Sequence, residues 1–259
     1  MNFFLVKEYF KYFHIKTDEH SLHSPFFYQF YLNTIKGKSI STEWKDIETK
    51  REELLKDNSE IGIFDLGAGS KVEKSQYRKV KSIARHSLSS QKFSQFLFRI
   101  IQEFKFKSII ELGTSLGINT TYLAKANNDS SVTTFEADPA ALKIAKEITK
   151  NQHNIEFHQG DITILLPEFL RKSKANIDLV YADANHTYEA SIHYFNIILP
   201  YLKRDSIYVM DDIHWSPSMK KAWEELKKRE EVSSSIDLFD AGLLFFNPDF
   251  QKKHYVLDF

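Results

Sequence analysis

The sequence predicts a doubly wound α/β fold, a seven-stranded sheet that ends in an antiparallel C-terminal hairpin, with a mainly helical segment ahead of it. Three features carry this reading. Beyond residue 88 candidate strands alternate with helical stretches, the first of those strands runs into a turn marked by Gly113 and Gly117, and two apolar runs near the end flank a turn containing Gly242. The chain is thus divided into an N-terminal helical cap, 1–88, and an α/β domain, 89–259. A length of 259 residues suffices for one large α/β domain with a sizeable core and an accessory segment.

In order along the cap, residues 1–16 set Phe3, Val6, Phe10 and Phe13 near helical spacing. A second helix starts at Ser24-Pro25, with serine as N-cap and proline in the first turn, and 42–57 forms a charged helix with few apolar anchors. The aromatic residues, Tyr9 and Tyr12 included, suit burial, so the reading is a cap packed on the domain, with a membrane-surface or partner-binding helix as the rarer outcome. Strands follow at 107–111, 131–136, 154–158, 177–182 and 206–210. Helices lie near 117–128, 138–150, 162–172, 187–201 and 217–230. Ile236-Asp237-Leu238-Phe239 and Leu243-Leu244-Phe245-Phe246 read as the hairpin.

Lys plus Arg and Asp plus Glu both number 35, so no global basic charge points to nucleic acid or to an anionic membrane, and a small-molecule substrate is favoured. The absence of cysteine excludes disulfides and thiolate metal sites and suits a reducing cytoplasm. The apolar start, Met1 to Val6, is interrupted by Lys7, Glu8 and Lys11 long before the roughly 18 residues a membrane span needs, and no signal peptide is read.

Ser108-Ile109-Ile110-Glu111-Leu112-Gly113-Thr114-Ser115-Leu116-Gly117 is a buried strand ending in an acid and a turn whose glycines let the backbone approach a ligand. About 25 residues on, Val132-Thr133-Thr134-Phe135-Glu136 is a second strand ending in an acid, where such folds hydrogen-bond a ribose hydroxyl. The nicotinamide fingerprint G-x-G-x-x-G fails, because the other two positions hold Ser115 and Ile118. A second Gly-rich run, Asp65-Leu66-Gly67-Ala68-Gly69-Ser70, has no acid at the required distance and a polar continuation. It reads as a turn or a substrate-side lid.

The loop resembles the E/D-x-G-x-G-x-G motif of class I S-adenosylmethionine (AdoMet)-dependent methyltransferases, with Ser115 at the middle glycine, a departure found in the catechol-type O-methyltransferase branch. The resemblance covers roughly 90–259 and implies a Rossmann-like seven-stranded sheet with the reversed strand inserted near one edge. It also implies cofactor contacts from Glu111, Gly113, Thr114, Ser115 and Gly117, ribose contacts from Glu136 and an adenine contact from Asp161, with Asp183 among the catalytic candidates and a contact to the cofactor's ammonium group as its plainer role. Asp161 equally suits an N-cap of the next helix. Asp183, Asp211 and Asp212 occupy the three positions that bind a divalent cation, Mg²⁺, in the branch. His186 and His214 each follow an acid by two or three residues at a strand-to-helix turn, and either serves as general base in a metal-free version. His20 and His23 of the cap are candidates for closing the pocket. The activity so implied is O-methylation of a small hydroxylated or phenolic acceptor. N-methylation of a small molecule or protein, and a non-catalytic AdoMet-binding scaffold, are the alternatives, with assembly as a homodimer left open.

Overall fold

The computed structural model describes residues 3–38, 44–63, 77–173 and 176–259. In chain order its helices are α1 (Phe3–Ile15), α2 (Pro25–Phe30, continued by a π-helical turn, Tyr31–Ile35), α3 (Lys45–Lys56), α4 (Val80–Ser87), α5 (Gln91–Phe104), α6 (Ile118–Ala126), α7 (Pro139–Ile148), α8 (Ile162–Ser173), α9 (Tyr188–Ile198) and α10 (Pro217–Leu226). The strands are β1 (Glu60–Gly62), β2 (Tyr77–Lys79), β3 (Ser108–Leu112), β4 (Ser131–Glu136), β5 (Ile155–Gln159), β6 (Ile177–Ala182), β7 (Leu202–Asp211), β8 (Ser234–Asp237), β9 (Ala241–Phe245) and β10 (Lys253–Val256). The chain forms two compact units, Gly37–Glu168 and Met1–Lys36 with Phe169–Phe259. The main sheet is mixed, mostly parallel and flanked by helices, and it has eight strands where the sequence predicts seven. The added strand is β10, parallel to β8, with Tyr255 as its one buried residue, too short and too polar to announce itself as a pattern.

In the Gly37–Glu168 unit, β3, β4 and β5 pair in parallel, with Ile110 opposite Thr133 and Thr134 opposite Phe157. The apolar residues of β3 and β4 are buried as a parallel sheet requires. α5 buries Phe93, Phe96, Leu97, Ile100 and Ile101, the i, i+3, i+4, i+7, i+8 stripe of an amphipathic helix, and Ser90 caps it by accepting the Phe93 amide at 3.2 Å. α3 has stronger anchors than its charges suggest. Trp44, at its N-cap, packs edge-on to Phe98 at 4.2 Å and stacks on Tyr122 at 5.0 Å, and the Tyr122 hydroxyl donates to Glu48. β1 and β2 form an antiparallel pair inside the segment expected to be mainly helical. The Gly-rich run 65–70 lies outside the described residues.

In the other unit, β6 and β7 are parallel, and β9 runs antiparallel between β7 and β8, which is the predicted reversed strand of the C-terminal hairpin. Gly242 on β9 is required by close approach, since a Cβ there would sit 2.5 Å from the Trp223 ring. Phe27 and Phe30 of α2 meet Phe245 edge-on at 5.1 and 5.5 Å, and Phe27 lies 4.7 Å from Tyr255. α1 is tied down by the Tyr12 hydroxyl donating to the Leu257 carbonyl at 2.6 Å and by Lys16 paired with Asp258. That contact buries Glu8 and Tyr12 and leaves Phe10 and Phe13 in solvent and Tyr9 half-exposed, edge-on to Phe239 at 5.1 Å, against the expectation that the aromatic stripe packs inward. Among the described residues no helix is long and apolar enough to cross a membrane.

Candidate functional site

Two groups of polar side chains sit at the carboxyl ends of the strands, one in each unit, where open α/β sheets bind ligands. In the Gly37–Glu168 unit, the turn after β3 carries Gly113, Ser115 and Gly117 at φ values of +96°, +47° and +82°. Ser115 thus takes the left-handed backbone of the glycine it replaces, at a strain cost that clusters at functional turns. Gly117 is needed twice over, because an added Cβ would also lie 2.8 Å from the Ala145 Cα of α7.

The resemblance assigns the amides of this turn to a ligand, but most already have acceptors. Gly113 and Thr114 donate to the Phe135 carbonyl at 3.0 and 3.1 Å, Gly117 donates to Thr114 O, and Ser115 donates to Glu136 Oε2 at 2.7 Å. The turn is therefore pre-ordered by β4 and is not an open cradle of free N–H groups. Glu136 accepts the Asp138 amide on its other oxygen at 2.9 Å, and burial raises its pKa although these backbone donors oppose the shift. Each carboxylate oxygen keeps a lone pair for a hydroxyl donor.

Glu111 is fully buried. Its Oε2 accepts from Thr120 and Thr134, both at 2.6 Å, while Oε1 has no hydrogen-bond partner. Thr114 extends the network through a 2.6 Å bond between its hydroxyl and that of Thr134. Burial pushes the Glu111 carboxyl up to about 8, against the pull of the two threonine hydroxyls. A buried acceptor with no donor is costly, and it fits a ligand that brings a cationic N–H group. Asp161 uses Oδ1 to cap α8, accepting from the Thr163 amide and hydroxyl at 2.8 and 2.7 Å. The Ser87 hydroxyl at the end of α4 bonds that of Ser115 at 2.9 Å, and a groove of about 420 Å³ along α4 carries Arg78, Lys79, Lys81, Arg85 and His86 against one acid, Glu60. Its field favours anions.

In the other unit, the ends of β6 and β7 bring together Asp183, His186, Asp211 and Asp212, four of the predicted residues, around one that sequence reasoning missed. Tyr181 is buried on β6, two residues before Asp183 and so on the same face. Its hydroxyl lies 3.0 Å from Asp183 Oδ2 and 2.8 Å from Asp211 Oδ2. One phenolic proton cannot satisfy two ionised acids. Accordingly, burial and the Asp183 and Asp212 charges push Asp211 well above the carboxylate range, and burial raises Asp212 against the opposing pull of His186. His186 stands between the acids, Nε2 3.5 Å from Asp183 and Nδ1 3.5 Å from Asp212. Asn185, His186 and Asp212 all hold positive φ, so both turns are strained at the cluster.

Among the described residues, no group of three His, Asp or Glu side chains is arranged to hold a metal ion. Asp183 and Asp211 share the Tyr181 hydroxyl and His186 stands 3.5 Å from Asp183 and from Asp212, an arrangement that does not present the three carboxylates as the expected Mg²⁺ set. His214 also differs from its reading as a base. It is 4% exposed, lies flat on Phe239 at 5.1 Å, and puts Nε2 2.9 Å from Asp237 and Nδ1 3.5 Å from Glu8. It lies between two buried acids at the turn after β7. His20 and His23 are exposed, and among the described residues neither side chain makes a hydrogen bond or ion pair; the His20 amide donates to Asp18 at 3.1 Å.

Residues 110–213 match a sequence-family model described as a methyltransferase domain. A search of curated proteins gives no match. Among solved structures, the chain is similar to the O-methyltransferase TomG from Streptomyces achromogenes, in complex with SAM, at 20% identity and a TM-score of 0.57 over 83% of this chain and 94% of that one. An O-methyltransferase from Bacillus cereus in complex with SAH gives 19% identity and 0.54 over 61% and 82%. The SAH-bound methyltransferase PaMTH1 from Podospora anserina gives 17% identity and 0.55 over 63% and 81%. At such identities the likeness is one of fold; the residues matched by the family model, 110–213, take in the turn, Glu136, Asp183 and Asp211. Residues 110–213 are thus similar in sequence to a methyltransferase domain, and the fold is one that methyltransferases of known structure share.

Proposed function

We propose that the protein transfers the methyl group of AdoMet to an oxygen of a small hydroxylated or phenolic acceptor. The observation that carries this reading is His186 held between Asp183 and Asp212, beside an acid kept well above its ordinary pKa. The cofactor, when bound, supplies an electrophilic methyl group on a sulfonium and leaves as a neutral thioether. Glu111, with its unpartnered Oε1, would hold the ammonium group, Glu136 the ribose hydroxyls and Asp161 the adenine amino group.

The acceptor hydroxyl must lose a proton as its oxygen forms the new bond to carbon. Asp212 orients the imidazole through Nδ1, Nε2 takes the proton, and Asp183 stabilises the resulting imidazolium. Tyr181 keeps Asp183 and Asp211 from repelling each other apart. Incubation with AdoMet and a panel of catechols, phenols and amines, read by mass spectrometry, tests the proposal. Methylated phenol or catechol supports it. Methylated amines alone would shift the activity to nitrogen, and AdoMet binding without turnover on any acceptor would favour the scaffold reading.

A further inference from the structure

α1 has two apolar faces, and only one is used. Glu8 and Tyr12 point into the Met1–Lys36 and Phe169–Phe259 unit, whereas Phe3, Tyr9, Phe10 and Phe13 are 79, 47, 58 and 53% exposed. Phe3, Val6, Phe10 and Phe13 recur at i, i+3, i+7 and i+10, which lines them along one side, with Tyr9 beside them. Single exposed apolar residues are ordinary, but four aromatic rings on one 13-residue helix form a continuous patch of the kind that marks an interaction surface.

The exposed charges on the helix itself have one sign. Lys7, Lys11 and His14 are exposed along the edge of the patch. The one acid of the helix, Glu8, is 4% exposed, bonded to Lys11 at 2.5 Å and facing His214 and Lys220. Lys16, paired with Asp258, reaches across the end of the stripe, 5.0 Å from the centre of the Phe13 ring. An aromatic face rimmed by cations complements an anionic lipid surface, where rings enter the headgroup boundary and lysines stay at the level of the phosphates.

We propose that α1 docks the protein on anionic membrane surfaces, lying in the interface and not crossing it. The neutral total charge of the chain does not oppose this, because the relevant charge is that of one helix face. A second copy of the chain fits less well. The helix is roughly 20 Å long, too short for one pairing to supply the roughly 800 Å² per partner of a stable interface. An antiparallel pairing would also set Lys7 of one copy against His14 of the other, with no exposed acid on the helix to offset them. The inference is independent of the acceptor.

Flotation of the full chain with vesicles tests it. Phosphatidylcholine vesicles containing about one-third phosphatidylserine should bind the protein about tenfold more tightly than pure phosphatidylcholine, and raised salt should weaken the binding. The F10S/F13S variant, altered at exposed positions and checked for an unchanged melting temperature, should lose about tenfold or more. Equal partitioning onto both vesicle types, or none, would overturn the proposal. Sedimentation velocity separates the other occupant: a dimer in the parent chain that F10S/F13S abolishes, without vesicle binding, would assign the face to a second copy.

Discussion

The imidazole of His214 is joined to the carboxylate of Asp237 by a 2.9 Å contact in which both side chains are buried, and Glu8 of α1 faces the opposite ring nitrogen at 3.5 Å. This chain of charges links the first helix to the turn after β7 and to the start of the β8–β9 hairpin. Burial alone would raise both acids. The bond and charge of His214 hold Asp237 below its ordinary range, and Lys11, Lys220 and His214 do the same for Glu8.

The sign of the pH dependence follows. An acid whose folded pKa is depressed contributes stability above its unfolded pKa, and that contribution is lost as pH falls through the folded value. Asp237→Asn should therefore lower stability at neutral pH by about 1–3 kcal/mol and make acid unfolding below about pH 4 less steep. Urea unfolding at pH 7 and at pH 3 checks both. An unchanged midpoint at pH 7 would show the buried contact to be neutral.

Asp211 has the opposite linkage. Its raised pKa means that the folded protein is destabilised as pH rises from the unfolded carboxylate range toward the folded value. Asp211→Asn preserves an acceptor for the Tyr181 hydroxyl and removes an acid whose ionised form its burial and neighbours disfavour. The variant should melt about 2–4 °C higher at pH 7, equivalent to about 1 kcal/mol, and turn over more slowly. Stability and activity would then move in opposite directions, as at sites strained for function. A lower melting temperature would mean that the carboxyl group stabilises the fold.

Glu111 permits a measurement on cofactor binding itself. At about 8 its carboxyl is mostly protonated at neutral pH, and an ammonium group brought to Oε1 would favour the ionised form. AdoMet binding at pH 7 should release up to one proton, seen by calorimetry in buffers of different ionisation enthalpy. Glu111→Gln should release none and bind about tenfold more weakly, through loss of a charge-assisted bond. In the free protein, the stability tied to this group is full below about pH 4.5 and is lost as pH rises to about 8. The variant should lack that decline. Equal proton release from both proteins would move the ammonium group elsewhere.

The fold was legible where burial leaves a local pattern. Ile109-Ile110, Val132 to Phe135 and Ile207 to Met210 read as parallel strands because both faces are covered. β10 was not legible, since one buried tyrosine makes no period and its backbone pairing with β8 leaves no mark in composition. Glu111 and Glu136 could be placed from their strand ends. Tyr181 could have been, because strand alternation sets it on the face of Asp183. His186 and His214 look equivalent in sequence. What separates them is long-range: Glu8 and Asp237, far apart in the chain, enclose His214, while only strand-end acids flank His186.

That difference between the histidines gives the most exposed prediction. If His186 takes the acceptor proton, His186→Gln should lower kcat by about 10²–10⁴ with little change in AdoMet affinity, because the proposed cofactor contacts lie on Glu111 and Glu136. Asp212→Asn, which leaves the ring in place but removes its orienting charge, should cost less. Excess chelator should change turnover by less than about twofold, since Asp183 and Asp211 already share the Tyr181 hydroxyl and His186 stands 3.5 Å from Asp212. Turnover abolished by chelator and restored by Mg²⁺, with His186→Gln still active, would return the activation step to a cation at Asp183, Asp211 and Asp212. In that case the bond from Tyr181 to Asp211 would have to open to admit the ion, and spectroscopic titration of the tyrosine with Mg²⁺ would detect the change.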